Sequence, residues 1–332
     1  MVSSSNPAAS LIIINWNGAQ VLTHCLDAVA SQTFADFETI IVDNGSEDSS
    51  IDGLEKSHPD VQVIKLGKNR GFAFANNVGV REARGKWIGL INNDAYPDPD
   101  WLSNLMTAAS GSDSAFASFA SRLIQSEDPT RLDGAGDVYH MGGLAWRRYH
   151  NRPVQLVGRV AEEVFSPCAA AALYSRKAFS DVGGFDEEFF SYHEDVDIGF
   201  RLRLQGYRCL YVPNAIVKHV GSASLGRRSS FAIYHGHRNM VWTYLKNMPG
   251  PLFWKYLPAA LLANLQFLCY YSLKGYGRAI WKAKIDALRG SSAMLQKRRE
   301  IQRTARVTPA DIDRAIDHGW FGPLFRLPTT AR

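Results

Sequence analysis

Four short apolar runs in the first third of this 332-residue chain each end on an Asn, Asp or Gly turn, and this repeat constrains the fold more than any other feature. Ser10 to Ile14 runs into Asn15-Trp16-Asn17-Gly18, and Phe37 to Val42 into Asp43-Asn44-Gly45-Ser46. Val61 to Leu66 runs into Gly67-Lys68-Asn69-Arg70-Gly71, and Trp87 to Ile91 into Asn92-Asn93-Asp94. Helix-like spacing lies between them, as from Ala19 to Ser31. Strand, loop and helix in alternation predict an α/β fold with a mostly parallel central sheet flanked by helices, whose ligands bind beyond the carboxyl ends of the strands. Asp43 and Asp94 fall at two such ends. Either acid alone reads as a turn residue. Together they converge on one crevice, where one can meet a nucleotide and the other can hold a divalent cation against phosphates. There is no Gly-x-Gly-x-x-Gly or Walker-type loop, so phosphate charge falls to a metal and side chains.

The second half supplies reactive groups. From Phe185 to Asp197, thirteen residues hold six carboxylates and four aromatic rings, just after Gly183-Gly184. Acids crowded beside apolar rings lose water and repel one another, which raises their pKa and equips one of them as a general base. Helical spacing from Glu194 to Gln205 puts Glu194 and Asp195 at a helix N-terminus, where the dipole stabilises each anion by roughly 0.3–1 kcal/mol. Capping explains one acid, and two over-supply it. Beyond, a strand from Tyr207 to Val212 turns at Pro213-Asn214-Ala215 and continues to His219, which can return to the crevice as an imidazole ligand or serve as a structural histidine. Ser121 to Arg159, rich in Gly, Arg and Tyr, has no periodicity and reads as a long excursion over the site.

In this order, Ile12-Ile13-Ile14-Asn15-Trp16-Asn17-Gly18, Ile41-Val42-Asp43-Asn44-Gly45-Ser46, Asn69-Arg70-Gly71-Phe72-Ala73 with Asn76-Asn77, Asn92-Asn93-Asp94, Gly183-Gly184-Phe185-Asp186-Glu187, Glu194-Asp195 and His219 resemble the glycosyltransferase family 2 enzymes of GT-A fold. The resemblance covers about Ser10 to Asn247 and is strongest to the bacterial rhamnosyltransferase-like group. It implies inverting transfer of a sugar, with dTDP-L-rhamnose favoured as donor, to a hydroxyl of a lipid-linked saccharide or cell-surface glycan. Alternatives are a UDP-hexose donor, or a non-catalytic membrane-bound scaffold that binds a nucleotide sugar. Carried over, Asp195 is the base, Asp43 binds the donor's pyrimidine, and Asp94 and His219 hold a divalent cation, Mg2+ or Mn2+. Asn15, Arg70, Asn77, Asn93, Phe185, Asp186 and Glu194 become donor or acceptor contacts, with Arg70 on the diphosphate and Phe185 to Glu187 on the acceptor side. Asn92 stands where the family often has the first Asp of its metal motif, which removes one negative charge. No Gln-x-x-Arg-Trp motif is present, so one sugar per encounter is expected.

Charge divides the chain. Residues 246–332 hold 15 Lys or Arg against 5 Asp or Glu, a net of +10, which leaves −5 for residues 1–245 of a chain that totals +5. The expected division is a catalytic domain over 1–247 and a basic, amphipathic helical extension over 248–332. Tyr256 to Leu273 is 18 residues without a charge, interrupted by Pro258, Asn264 and Gln266. It can span a bilayer, pack on the catalytic domain or lie in the interface, and the bases that follow favour the interface with an anionic membrane surface. No base-stacking platform accompanies these bases, so nucleic acid is not an expected partner. The first residues lack a cationic start and the four cysteines no Cys-x-x-Cys pair, which fits a cytoplasmic protein held peripherally on the inner face of the cytoplasmic membrane.

Overall fold

The structure, a computed structural model, describes residues 6–221 and 229–319. The first half alternates as expected: β1 (Ala9–Asn15), α1 (Leu22–Ala30), β2 (Phe37–Asp43), α2 (Leu54–Ser57), β3 (Val61–Lys65), α3 (Phe72–Glu82), β4 (Trp87–Asn92), β5 (Ala95–Pro97) and α4 (Trp101–Gly111). Strands β3, β2, β1 and β4 are parallel neighbours, so their carboxyl ends share one edge. Leu11 and Ile13 of β1 pack in a core with α1 and α4 on one face of the sheet. Ile12 and Ile14 pack with α3 on the other. Each buried Ile or Leu contributes about 1.5–3 kcal/mol, and a period of two with apolar residues in both phases fits a strand covered on both sides.

The stretch 121–159 is not an unstructured excursion. It holds the second half of β6 (Phe116–Gln125), then β7 (Leu132–Ala135), β8 (Asp137–Tyr139) and β9 (Ala145–Arg147), followed by β10 (Glu162–Val164) and β11 (Ala171–Ser175). Strands of three or four residues are too short to show a period, which is why the sequence pattern misses them. The sheet is therefore mixed: β11 enters antiparallel between β4 and β6. After α5 (Arg176–Asp181) and α6 (Glu194–Leu204) comes β12 (Arg208–His219), parallel to β6. The expected turn at Pro213-Asn214-Ala215 is a shift of register inside this strand rather than its end.

Helices follow: α7 (Ser230–Asn247) before the division, and α8 (Gly250–Tyr271), α9 (Gly277–Arg289), α10 (Ser291–Thr304) and α11 (Pro309–Ala315) in the extension. Its last residues, 320–332, lie outside the described ones. The chain passes the division at 247 through the fully buried Met248, and Leu252, Tyr256 and Ala260 of α8 share a core with Phe200 of α6. Ala287 of α9 and Met294 of α10 pack with Phe189 and Trp242. A buried charge network fastens the same parts. Lys246 Nζ lies 2.6 Å from Asp186 Oδ2 and 2.9 Å from Asp197 Oδ2. Arg201 pairs with Asp197 at 2.7 Å, and Lys297 of α10 with Asp186 at 2.6 Å. Burial opposes ionisation of Asp186 and Asp197, yet Lys246 with Lys297 or Arg201 outweighs it and holds both below the usual carboxylate range. Breaking such a pair leaves a buried charge, at a cost of about 3–5 kcal/mol.

Candidate functional site

The polar strand ends are bonded together. Asn93 Nδ2 donates to Asn15 Oδ1 at 2.9 Å, and Asn15 Nδ2 donates to Asp43 Oδ1 at 3.2 Å and Ser50 Oγ at 2.8 Å. Asp43 also accepts the Ser46 amide at 3.2 Å. Gly18 lies against this chain of bonds, because a Cβ there would sit 2.2 Å from Asn15 Oδ1 and 2.4 Å from Asn93 Nδ2. Asn15 and Asp43 are buried behind the wall of a cleft of about 670 Å³, whereas Asn93 and Asp94 line it.

His219, Glu194 and Asp195 line the same cleft. His219 Nδ1 is bonded to Asp133 Oδ2 at 2.7 Å, and its Nε2 faces Asp94 Oδ1 at 3.4 Å. Among the described residues that buried Nε2 has no hydrogen-bond partner. A carboxylate that fixes one ring nitrogen aims the other at a metal, so Asp94 and His219 fit two ligands of a divalent cation. Among the described residues no third His, Cys, Asp or Glu completes a metal-holding group, so phosphate or water oxygens would fill the remaining positions. Burial opposes the charge on His219, but Asp133 on one ring nitrogen and Asp94 facing the other outweigh it and raise its pKa, so a cation at Nε2 would compete with a proton there.

Asp133 also pairs with Arg147, which lines the cleft. Burial disfavours the Asp133 anion, but Arg147, His150 and His219 together hold it well below the usual range. Asp133, Asp137 and Arg147 were not expected from the sequence. They come from the short strands β7 to β9, and Asp133 is 86 residues from His219, so no local spacing connects them.

Three acids compete for a proton beside Arg147. Burial, then the charge of Asp195, drives Asp137 well above the carboxylate range, and the same two causes do so for Glu194. Asp195 is also raised by burial, but it accepts the amides of Ala169 at 3.2 Å and Val196 at 2.8 Å, and Arg147 favours its anion. Glu194 Oε2 has no such partner among the described residues. Hydrogen bonds to the ionised form lower a pKa, so these two amides favour the Asp195 anion in a place where burial opposes it.

The loop that carries Asp195 is strained. Phe190, Tyr192 and His193 have φ of 66°, 69° and 67°, a left-handed region that costs about 1–2 kcal/mol per non-glycine residue. The fully buried Asn239 of α7 holds it: Nδ2 donates to the carbonyls of Phe189, Ser191 and Tyr192 at 2.9, 2.9 and 2.7 Å. Arg238 Nη2 adds bonds to Glu188 O and Phe189 O, each 3.0 Å.

Four expected contacts lie elsewhere. Arg70 is exposed, with its guanidinium 4.0 Å above the Phe74 ring, and is not part of the cleft wall. Asn77, Phe185 and Asp186 line a separate cavity of about 550 Å³ together with Lys246 and Lys297. Asn77 brackets Phe185, donating to its carbonyl at 2.8 Å and accepting its amide at 2.9 Å, while Asp186 is consumed by the two lysines. These residues shape the loop before the base rather than the cleft itself.

Comparison with known proteins agrees with this architecture. The family model described as "Glycosyl transferase family 2" matches residues 10–183, and that of "Glycosyl transferase family group 2" matches 138–283. The N-acetylglucosaminyl-diphospho-decaprenol L-rhamnosyltransferase of Mycobacterium tuberculosis is 28% identical over an alignment of 252 positions that covers 68% of this chain and 80% of that protein. The O-antigen biosynthesis protein RfbC of Myxococcus xanthus is 27% identical over 66% of this chain, and this chain spans only 18% of its length. Among solved structures, GalNAc-T7 with UDP, GalNAc and Mn2+ superposes with a TM-score of 0.63 at 14% identity, over 84% of this chain and 55% of that one. This last likeness shows a shared GT-A fold.

Removing the carboxylate that orients His219 is the direct check on the cation site. Asp133→Asn is expected to weaken Mn2+ binding by about 10–100-fold in a titration followed by electron paramagnetic resonance. Unchanged affinity would remove Asp133 from this role.

Proposed function

The chain belongs to glycosyl transferase family 2, and from that premise we propose that it is an inverting transferase that moves L-rhamnose from dTDP-L-rhamnose to a hydroxyl of a lipid-linked saccharide. One observation carries the mechanism: Asp195, whose carboxylate accepts two backbone amides, opens onto the cleft that also contains Asp94 and His219. The acceptor oxygen attacks the anomeric carbon as the bond from that carbon to the donor diphosphate breaks, and its proton passes to Asp195. Burial and the charge of Asp195 raise the pKa of Asp137 and Glu194, which opposes a second negative charge beside the attacking oxygen. Arg147 favours the Asp195 anion and supplies positive charge in the cleft. A divalent cation held by Asp94 and His219 would neutralise the leaving diphosphate. Asn93 faces the donor, and Asp43 with Asn15 holds the base-binding end of the crevice. The mycobacterial relative's name supplies the rhamnose donor and the lipid-diphosphate acceptor as a model for this chain.

We further propose that residues 1–247 form the catalytic part and that 248–332 hold it on the inner face of the cytoplasmic membrane. The helical run 250–289 is, among the described residues, long and apolar enough to cross a bilayer by length and composition, and only 22% of its apolar window is buried. Its outer face supports lying in the interface: Leu261, Leu262 and Leu265 of α8 and Trp281, Ile285 and Leu288 of α9 are exposed, while Ile280, Ala283 and Ala287 turn inward. Lys274, Arg278, Lys282 and Arg289 supply charge for anionic lipid.

Nucleotide release measured with a panel of donors tests the donor assignment: turnover is expected with dTDP-L-rhamnose and not with UDP-glucose or UDP-galactose, and the reverse pattern would reject it. For the membrane face, Leu261→Glu with Leu265→Glu should weaken sedimentation with phosphatidylglycerol vesicles on the order of 100-fold, from about 1.5 kcal/mol per buried Leu. Equal sedimentation of the variant would contradict an interfacial α8.

A further inference from the structure

Where the cleft meets the extension, three basic side chains from three helices come together, and among the described residues none of them forms an ion pair with a carboxylate. His193, at the start of α6, lines the cleft. Lys284 of α9 donates from Nζ to the carbonyl of His237 on α7 at 3.1 Å and to Asn264 Oδ1 on α8 at 2.6 Å. An ammonium has three donors, so one is left. His193 Nδ1 and His237 Nδ1 are buried and have no hydrogen-bond partner among the described residues. The carboxylates nearby are committed, Asp197 to Arg201 and Lys246, and Asp286 to Lys282 and Arg289. Burial pushes the Lys284 ammonium down to about 7, and burial followed by Lys284 pushes the His193 imidazole to about 4. Basic groups without a counter-ion shed protons in this way, and a bound polyanion restores them.

We propose that His193, His237 and Lys284 form a site for the diphosphate of a prenyl-linked acceptor, with its saccharide directed at Asp195 and its chain at the exposed face of α8. The assignment of the bound molecule as acceptor rests on the transferase reading; the site itself does not. Its setting matches such a molecule on both sides. His193 is two residues before Asp195, so a head group here stands beside the base. On the other side the His237 ring packs 4.8 Å from Phe267 and 4.9 Å from Tyr271 of α8, the helix that exposes Leu261 and Leu265. Metal-side groups handle the donor's diphosphate around Asp94, so this second basic cluster serves a second phosphorylated molecule.

The test uses the full chain in detergent, with farnesyl diphosphate and farnesol as probes read by isothermal titration calorimetry. Wild type is expected to bind farnesyl diphosphate at least tenfold more tightly than farnesol. Lys284→Gln and His237→Gln should each weaken that binding about tenfold or more, while Lys284→Arg, which keeps the charge, stays within about threefold. Binding of dTDP and of phosphatidylglycerol vesicles by Lys284→Gln should match wild type, which separates this site from the donor's diphosphate and from phospholipid head groups. Farnesol bound as tightly as the diphosphate, or no loss in either Gln variant, would overturn the proposal, as would a Lys284→Gln loss seen with the vesicles and not with farnesyl diphosphate. If wild type binds farnesyl diphosphate in this pattern but not dTDP, the transferase reading fails and the anion site stands.

Discussion

Everything at the catalytic end of this molecule depends on one buried amide. Asn239 ties three carbonyls of the loop that presents the acids, and without it three non-glycine residues in left-handed geometry have little reason to stay there. Strain of about 1–2 kcal/mol per residue is offset by hydrogen bonds worth roughly 0.5–1.5 kcal/mol each, with Arg238 supplying two more and the Ala73 amide bonding Phe190 O at 3.2 Å. Because Asn239 belongs to α7, and α7 is packed by α9 and α10, the extension positions the acids as well as flanking them. The helices of the extension are thereby packed against the helix that holds the loop of the acids in place.

The electrostatics sort a crowd of carboxylates into different tasks. Asp186 and Asp197 are spent on Lys246, Lys297 and Arg201 and fasten the core. Asp137 and Glu194 are buried too deeply to ionise readily, and Asp133 is locked in its anionic form to orient His219. Asp195 differs from both sets: burial raises its pKa, while the amides of Ala169 and Val196 and the charge of Arg147 favour its anion. A general base needs that intermediate environment.

The parallel half of the sheet was legible residue by residue, because each strand is a short β-branched run ended by a turn: β1 and β4 fall within a residue or two of the runs read from the pattern. The convergence of Asn93, Asp94, Glu194, Asp195 and His219 on one cleft was legible for the same reason, since strand ends and a helix start were readable locally. Arg147, Asp133 and Asn239 were not. Their partners are set by long-range pairing of very short strands and by the packing of α7 on the loop of the acids. The sequence pattern also could not show that Asp186 is neutralised by Lys246 and Lys297, which are 60 and 111 residues away. A motif names a residue type and a neighbourhood, while an ion pair formed across the fold decides whether the group faces substrate or core.

If Asp195 takes the acceptor proton, the rate of Asp195→Asn measured across pH will show it. In wild type the base acts ionised, so its raised pKa places the acidic limb of kcat above the ordinary Asp range near 3.9, with activity lost as pH falls through it. The account predicts that Asp195→Asn, folded by circular dichroism and still binding dTDP, loses on the order of 10²- to 10⁴-fold in kcat together with that limb. Wild-type turnover in the variant, or an acidic limb that survives the substitution, would contradict it.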